Sequence, residues 1–186
     1  MPPWKRKFVR SLTNVILQSL LVRERFGLRL AGLFRGEWRW LKTEILKIQL
    51  KKCGVDCSFN FPVRIEGPEH VALGKRVSMS PFVHIWGHGG VTIGDDTMIA
   101  SHTIITSITH NKFSRLYNEE NVCLPIKIGN NVWIGSHAIV LPGIEIGDNA
   151  IIGAGAVVTH NVPPKTTVVG IPARIMEDRS QKNVNL

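Results

Sequence analysis

The stretch that decides the fold is residues 126–159, which read IKIGNNVWIGSHAIVLPGIEIGDNAIIGAGAVVT. Every sixth residue is aliphatic, and the residue two positions before each of these is also apolar. The first set is Ile128, Ile134, Val140, Ile146, Ile152 and Val158, and the second set is Ile126, Val132, Ala138, Ile144, Ala150 and Ala156. A helix would spread this pattern around its surface, and a plain strand repeats every two residues. The period of six predicts short strands joined by tight corners, three of which close a coil of about 18 residues.

Small residues mark the predicted corners. The position after each member of the first set is small in five of six cases, namely Gly129, Gly135, Gly147, Gly153 and Thr159. A turn with positive φ, or one where two backbones approach closely, tolerates little besides glycine. The spacing of six extends upstream in two pieces, through Leu73, Met79 and Ile85 and through Ile93, Ile99 and Ile105. The two pieces are offset by two residues at Gly89 and Gly90, which predicts a bulge at a corner.

The period breaks between Ile105 and Ile128. Residues 111–125, NKFSRLYNEENVCLP, are polar, charged and aperiodic. We therefore predict a loop outside the coils, and insertions of this kind tend to lie on the binding face of repeat domains. The alternative is a surface insertion without a function.

Positive charge is concentrated in the N-terminal arm. Residues 1–52 carry 13 of the 23 Lys and Arg but three of the 14 Asp and Glu, so they hold a net charge of +10 and the remainder holds −1. Apolar residues spaced along 8–21 and 28–48 predict two helical segments. We predict a basic amphipathic helical arm over 1–52, a β-helix domain over 53–176 and a polar tail over 177–186.

The arm has two interpretations. A basic amphipathic segment with Trp4, Trp38 and Trp40 suits the surface of an anionic membrane. Alternatively, its apolar faces cap the first coil or pack against a neighbouring subunit. The longest apolar run, VILQSLLV, is too short to span a membrane and is not followed by a cleavage site. Nucleic acid is not an expected partner, because no recognition motif accompanies the charge.

Cysteine usage indicates a reducing compartment. The three cysteines, Cys53, Cys57 and Cys123, do not suggest a disulfide framework. Cys53 and Cys57 have no second pair of ligands nearby, so a structural zinc site is not expected. We predict a cytoplasmic protein, with the inner face of the cell membrane as the surface that the arm would contact.

Histidine is the candidate for acid–base chemistry, because it exchanges a proton near neutral pH. Seven histidines occur, and most are expected to be ordinary polar residues outside the coils. His110 differs in position, since it ends the segment TIITSITH where the regular coils give way to the loop. A side chain at that point can project into a cleft shared with another subunit.

The sequence from Ile126 to Ile175, which continues the repeat with HNVPPKTTVVGIPARI, and the preceding VTIGDDTMIASHTIITSITH resemble a known family. They are similar to the left-handed parallel β-helix acyltransferases built on hexapeptide repeats, in particular to galactoside, maltose, nodulation-factor and polysaccharide O-acetyltransferases. The resemblance covers about residues 91–176 and is absent from the arm. The left-handed coiling is implied by the resemblance alone, because the period does not give the hand and ordinary parallel crossovers are right-handed.

The resemblance also implies a mechanism. The donor would be acetyl-CoA and the acceptor a hydroxyl group of a sugar or polysaccharide precursor, in a homotrimer with active sites at subunit interfaces and no metal. His110 would be the general base of a direct transfer, and the backbone N–H of Ser136 would stabilise the oxyanion. The donor groove would be lined by Ser136, Trp133, Ala154, Thr159, His160 and Arg174. The chain departs from the family at His160, where lysine is common, and at Phe82, where galactoside-type enzymes carry asparagine.

The sequence is also compatible with three other interpretations. An amino-sugar N-acetyltransferase would use the same donor and the same base. A metalloenzyme similar to γ-carbonic anhydrase would need three histidines on zinc, for which His84 and His88 with His102 or His110 are candidates. A non-catalytic β-helix scaffold would have the period but no need for His110 and Arg174 together.

Overall fold

A computed structural model describes residues 35–117 and 119–176. The chain divides into two units, one ending at Ile45 and the other beginning at Leu46. A helix, α1 (Arg35–Gln49), overlaps the second predicted helical segment of the arm, over 28–48, and ends one residue beyond it. The first predicted segment, over 8–21, and the predicted tail, over 177–186, lie outside the described residues. The described part of the chain contains no helix that is both long and apolar enough to cross a membrane.

Short strands follow α1 throughout the second unit. In chain order they are β1 (Lys52–Cys53), β2 (Ser58–Phe59), β3 (Arg64–Glu66), β4 (Val71–Leu73), β5 (Ser78–Met79), β6 (His84–Trp86), β7 (Val91–Ile93), β8 (Met98–Ile99), β9 (Ile104–Thr106), β10 (Ile108–His110), β11 (Asn121–Cys123), β12 (Ile126–Ile128), β13 (Trp133–Ile134), β14 (Ile139–Val140), β15 (Glu145–Ile146), β16 (Ile151–Ile152), β17 (Val157–Val158), β18 (Thr167–Val169) and β19 (Arg174–Ile175). A 3-10 turn, Pro68–His70, precedes β4.

Three parallel sheets form the three sides of a coil. Face A contains β1, β4, β7, β12 and β15, and face C contains β3, β6, β9, β14 and β17. Face B contains β2, β5, β8, β13, β16 and β18, with β19 added antiparallel at its end. The chain turns from face A to face B at the A–B corner and from face B to face C at the B–C corner. It returns from face C to face A of the next coil at the C–A corner. The predicted left-handed parallel β-helix is confirmed, and α1 is the helix that the described part of the predicted arm contains.

Strand register gives the length of each coil. Val71 of β4 pairs with Val91 of β7, a step of 20 residues, whereas Lys127 pairs with Glu145, a step of 18 residues. The additional residues of the coil before β7 lie at the C–A corner, where Gly90 donates its N–H to the carbonyl of Gly87. The predicted slip at Gly89 and Gly90 is therefore a longer corner turn between β6 and β7.

The two apolar sets of the sequence fill the interior of the coils. Every member of the first set and of its upstream continuation is at most 3% exposed, and every member of the second set is at most 6% exposed. A fully buried Ile or Leu side chain contributes about 1.5–3 kcal/mol to folding relative to an exposed one. The core is therefore a continuous aliphatic column along the axis of the coils.

The corner glycines are required by close approach of successive coils rather than by positive φ. A Cβ built on Gly135 would lie 2.6 Å from the backbone nitrogen of Ala154. The left-handed conformation occurs two residues later, at His137 with φ of 61°. Of the two reasons that sequence offers for glycine after each core residue, the structure supports the close approach.

Candidate functional site

His110 lies where the chain leaves the coils. It is the last residue of β10, which pairs antiparallel with β11 so that His110 stands opposite Asn121. This hairpin separates β9 of face C from β12 of face A, so it departs from the C–A corner. The segment predicted as a loop over 111–125 therefore contains the strand β11 near its end.

Ser107 anchors the base of the hairpin. Its hydroxyl is fully buried, donates to the carbonyl of Trp86 at 2.7 Å and accepts from the N–H of Gly89 at 2.9 Å. Its carbonyl accepts from the N–H of Leu124, where the chain returns to the coils. Buried hydroxyls require such partners, and here they hold both strands of the hairpin on the coil below.

The turn after His110 is fixed by one carboxylate. Glu120 accepts from the side-chain amide of Asn111 at 2.7 Å and from the hydroxyl of Ser114 at 3.3 Å. The turn also exposes three large apolar side chains, Phe113 at 84%, Leu116 at 49% and Tyr117 at 68%. Exposed apolar residues grouped in this way commonly mark a binding surface.

The imidazole of His110 is exposed and has no hydrogen-bond partner within the described part of its own chain. A histidine that acts as a base is usually oriented by a partner on its second ring nitrogen. The described residues of one chain therefore do not complete the environment that such a base requires.

Ser136 and Ala154 lie together at the B–C corner, one coil apart. The N–H of Gly155 donates to the carbonyl of Ser136 at 2.8 Å, which joins the two corners. Among the described residues, the backbone N–H of Ser136 and that of Ala154 make no hydrogen bond. Two N–H donors in successive coils are thus available along one corner, which is the arrangement that binds oxyanions and amide carbonyls.

Trp133 precedes this corner on face B. It pairs with Met98 and Ile151 in neighbouring coils, and the three side chains are 49%, 46% and 37% exposed. They form an apolar strip across three coils that leads to Ser136. An exposed strip of this kind suits the apolar part of a ligand.

The remaining predicted residues lie elsewhere. Thr159 and His160 follow β17 and therefore lie towards the C–A corner, where the Thr159 hydroxyl and Nδ1 of His160 are 2.8 Å apart. Arg174 is exposed in β19, opposite Val169 at the end of face B. The structure thus brings Ser136, Ala154 and Trp133 together, and it separates them from the base of the His110 hairpin by the width of face C.

The sequence did not predict a stack of rings on the B–C corner. Phe82, His102 and His137 occupy the same corner position in three successive coils. Their spacings of 20 and 35 residues, the second including the hairpin, are visible in the sequence. The signal was hidden because the insertion interrupts the period between His102 and His137.

The other histidine candidates do not form a metal site within one chain. His84 contacts the ring of Trp86, and its Nε2 has no hydrogen-bond partner among the described residues. Burial lowers the pKa of His84, the nearby Arg64 lowers it further, and Glu66 opposes the change. The described residues contain no group of three His, Cys, Asp or Glu side chains placed to hold a metal ion.

Comparison with known proteins places these features in context. Residues 125–160 match the family described as bacterial transferase hexapeptide (six repeats). Galactoside O-acetyltransferase of Escherichia coli K12 is 43% identical over 143 residues, which are 76% of this chain and 70% of that protein. The putative lipopolysaccharide biosynthesis O-acetyl transferase WbbJ of the same organism is 35% identical over 117 residues, 58% of this chain and 60% of its own.

A solved structure agrees with the sequence matches. The hexapeptide-repeat-containing acetyltransferase of Vibrio cholerae O1 biovar eltor, crystallised in complex with acetyl coenzyme A, superimposes with a TM-score of 0.71. The two sequences are 25% identical, and the match covers 92% of this chain and 87% of the other.

Proposed function

Because this chain belongs to the hexapeptide-repeat acetyltransferases, the family that includes galactoside O-acetyltransferase, we propose that it acetylates a hydroxyl group of a sugar or polysaccharide precursor. The chain is an acetyltransferase that uses acetyl-CoA. The choice of a sugar hydroxyl as the acceptor rests on one observation, the 43% identity with a galactoside O-acetyltransferase over 76% of the chain. The match to a lipopolysaccharide O-acetyl transferase supports the same class of acceptor.

The donor binds along the B–C corner. The N–H groups of Ser136 and Ala154 face the amide and thioester carbonyls of the pantetheine arm, and Trp133 packs beside it. Arg174 lies towards the last coil, where its guanidinium pairs with the nucleotide phosphates. Thr159 and His160, which lie towards the C–A corner, border the groove of a neighbouring subunit. No metal takes part.

His110 supplies the proton chemistry. A sugar hydroxyl is a poor nucleophile at neutral pH, so Nε2 of His110 accepts its proton as the oxygen attacks the acetyl carbonyl carbon. The N–H of Ser136 donates to the carbonyl oxygen while negative charge gathers on it. The bond from carbon to sulfur then breaks, and the imidazolium returns the proton to the departing thiolate. Acceptor and donor are bound together, so no acyl-enzyme forms.

The active site forms between subunits of a homotrimer. The His110 hairpin leaves the C–A corner, whereas Ser136 lies on the B–C corner. The imidazole also has no orienting partner within the described part of its own chain. A neighbouring subunit that presents its Ser136 corner to this hairpin supplies both the donor and the missing contacts.

The basic arm holds the enzyme at the inner face of the cell membrane, where a lipid-linked sugar acceptor is found. Its net charge of +10 over residues 1–52 supports attraction to anionic lipids. The cytoplasm is the compartment that supplies acetyl-CoA.

An acceptor screen tests the proposal. The purified chain is incubated with acetyl-CoA and with monosaccharides, glycosides, nucleotide sugars, amino sugars and serine, while thiol release is measured. We expect release with hydroxyl acceptors of the sugar class and acetyl esters that alkali removes. Transfer confined to amino sugars, with alkali-stable amides, would contradict O-transfer.

A further inference from the structure

Three stacked rings run along the B–C corner. The centroids of Phe82 and His102 are 4.7 Å apart with an interplanar angle of 21°, and those of His102 and His137 are 4.7 Å apart at 2°. All three residues have a left-handed backbone, with φ of 66°, 63° and 61°. Ring stacking at this distance is favourable. Each of the three successive coils from Phe82 to His137 therefore contributes one ring to the stack.

The stack stops at Gly155, although the corner continues. Gly155 has the same left-handed conformation, with φ of 70°, and its N–H bonds to Ser136 as that of His137 bonds to Ser101. A Cβ built on Gly155 would have no atom of the described residues within 4 Å. One face of the His137 ring is therefore left without the neighbour that the next coil would have provided.

This open position lies beside the unpaired N–H groups of Ser136 and Ala154. Ser136 precedes His137, and Ala154 precedes Gly155, so the space above His137 is bordered by the donors that the proposed function assigns to the pantetheine arm. An amide group is flat and neutral, and its carbonyl oxygen accepts hydrogen bonds. A saturated sugar ring is puckered, so it fits less well into the space that one ring of the stack would fill.

We propose that the space between His137 and Gly155 is a stacking slot for an amide plane of the pantetheine arm of acyl-CoA. The inference rests on the proposed donor groove and adds two residues to it. His137 provides the flat wall of the slot. Gly155 is small because a side chain there would occupy the place of the amide.

Filling the slot tests its occupant. Asparagine tolerates the left-handed conformation, so Gly155→Asn keeps the corner and places an amide side chain in the slot. Gly143→Asn is the matched control, because Gly143 is also left-handed but lies at the C–A corner, with its nearest neighbour, Leu124, 3.4 Å from a built Cβ. Calorimetric titrations use two probes, CoA and adenosine 3′,5′-bisphosphate, which lacks the pantetheine arm.

We expect Gly155→Asn to weaken CoA binding about tenfold or more and to leave adenosine 3′,5′-bisphosphate binding unchanged, while Gly143→Asn binds both probes like the wild type. His137→Asn, which removes the wall without filling the slot, is expected to weaken CoA binding about three- to tenfold. Thermal unfolding is used to check that each variant is folded. If Gly155→Asn does not fold, His137→Asn tests the proposal in its place.

Three results would overturn the inference, of which two concern the binding of the probes. One is wild-type CoA affinity in both variants, and the other is an equal loss of CoA and adenosine 3′,5′-bisphosphate. Unchanged CoA affinity with a raised KM for a sugar acceptor would assign the slot to the acceptor and would also refute it. Failure of the wild-type chain to bind CoA would instead contradict the proposed function itself.

Discussion

His110 is the residue on which the proposed chemistry depends. Replacing it with alanine removes the group that accepts the hydroxyl proton and leaves the B–C corner untouched. We expect His110→Ala to lower kcat by about 10² or more, with the affinity for CoA nearly unchanged. The measurement is thiol release under saturating acetyl-CoA. His70→Ala, which removes an exposed histidine from the 3-10 turn, is the matched control, and wild-type turnover in His110→Ala would show that another residue is the base.

Proline can remove the N–H of Ser136 while the corner keeps its backbone path. Ser136 precedes a left-handed residue, and Pro81 occupies the same corner position before Phe82, so the corner backbone accepts proline. Since proline has no N–H, Ser136→Pro is expected to lower kcat about 10²–10³-fold, which is typical for loss of one oxyanion donor.

Ser101→Pro is the control for that substitution. Ser101 occupies the equivalent position one coil earlier, and no hydrogen bond from its N–H is found in the described chain. A loss of activity in both variants, or in neither, would show that the N–H of Ser136 has no special role.

The sequence predicted single residues well where the regular repeat ends. It predicted them poorly where a feature arises from contacts between successive coils. His110 was found because the period stops beside it. The ring stack was not predicted, because it depends on which coil lies next to which, and the N–H of Ser136 was predicted only through the family resemblance. A 35-residue step across the hairpin brings His102 and His137 together.

The elements derive their stability from the aliphatic column. Ile134 of β13 is fully buried, whereas Ile151 of β16 is 37% exposed on the outer surface of the same face. Ile134→Ala is expected to lower the free energy of unfolding by about 2–5 kcal/mol, because it removes buried methyl groups and leaves a cavity. Chemical denaturation gives the value, and the matched change Ile151→Ala should cost clearly less. Similar losses in both variants would contradict the assignment of inner and outer positions.

The strands, corners and core could be predicted because a period of six constrains every residue that faces inward. The hairpin could be located but not described. Its strand β11 is held by pairing with β10 and by the bonds of Ser107 to the coil below. Neither contact produces a periodic pattern in NKFSRLYNEENVCLP, so the sequence of this segment predicts only a loop.

The whole molecule combines a nearly neutral β-helix domain with a strongly basic arm. We expect the full chain to co-sediment with vesicles that contain anionic lipids, and to be released at high salt, because exposed charges are screened there. A chain that begins at residue 53 is the comparison, with its fold checked by circular dichroism. Equal co-sedimentation of the two chains would contradict a membrane role for the arm.

The central claim is that His110 of one subunit acts on a donor held at the Ser136 corner of its neighbour. The most direct test is to co-express His110→Ala and Ser136→Pro chains with different tags and to purify the mixed trimers. Each variant alone should be nearly inactive, whereas every mixed trimer has one interface that joins an intact His110 to an intact Ser136 and should restore about a third of the wild-type sites. Recovery of activity in the mixed trimers is the predicted result, and mixed trimers as inactive as their parents would contradict the claim.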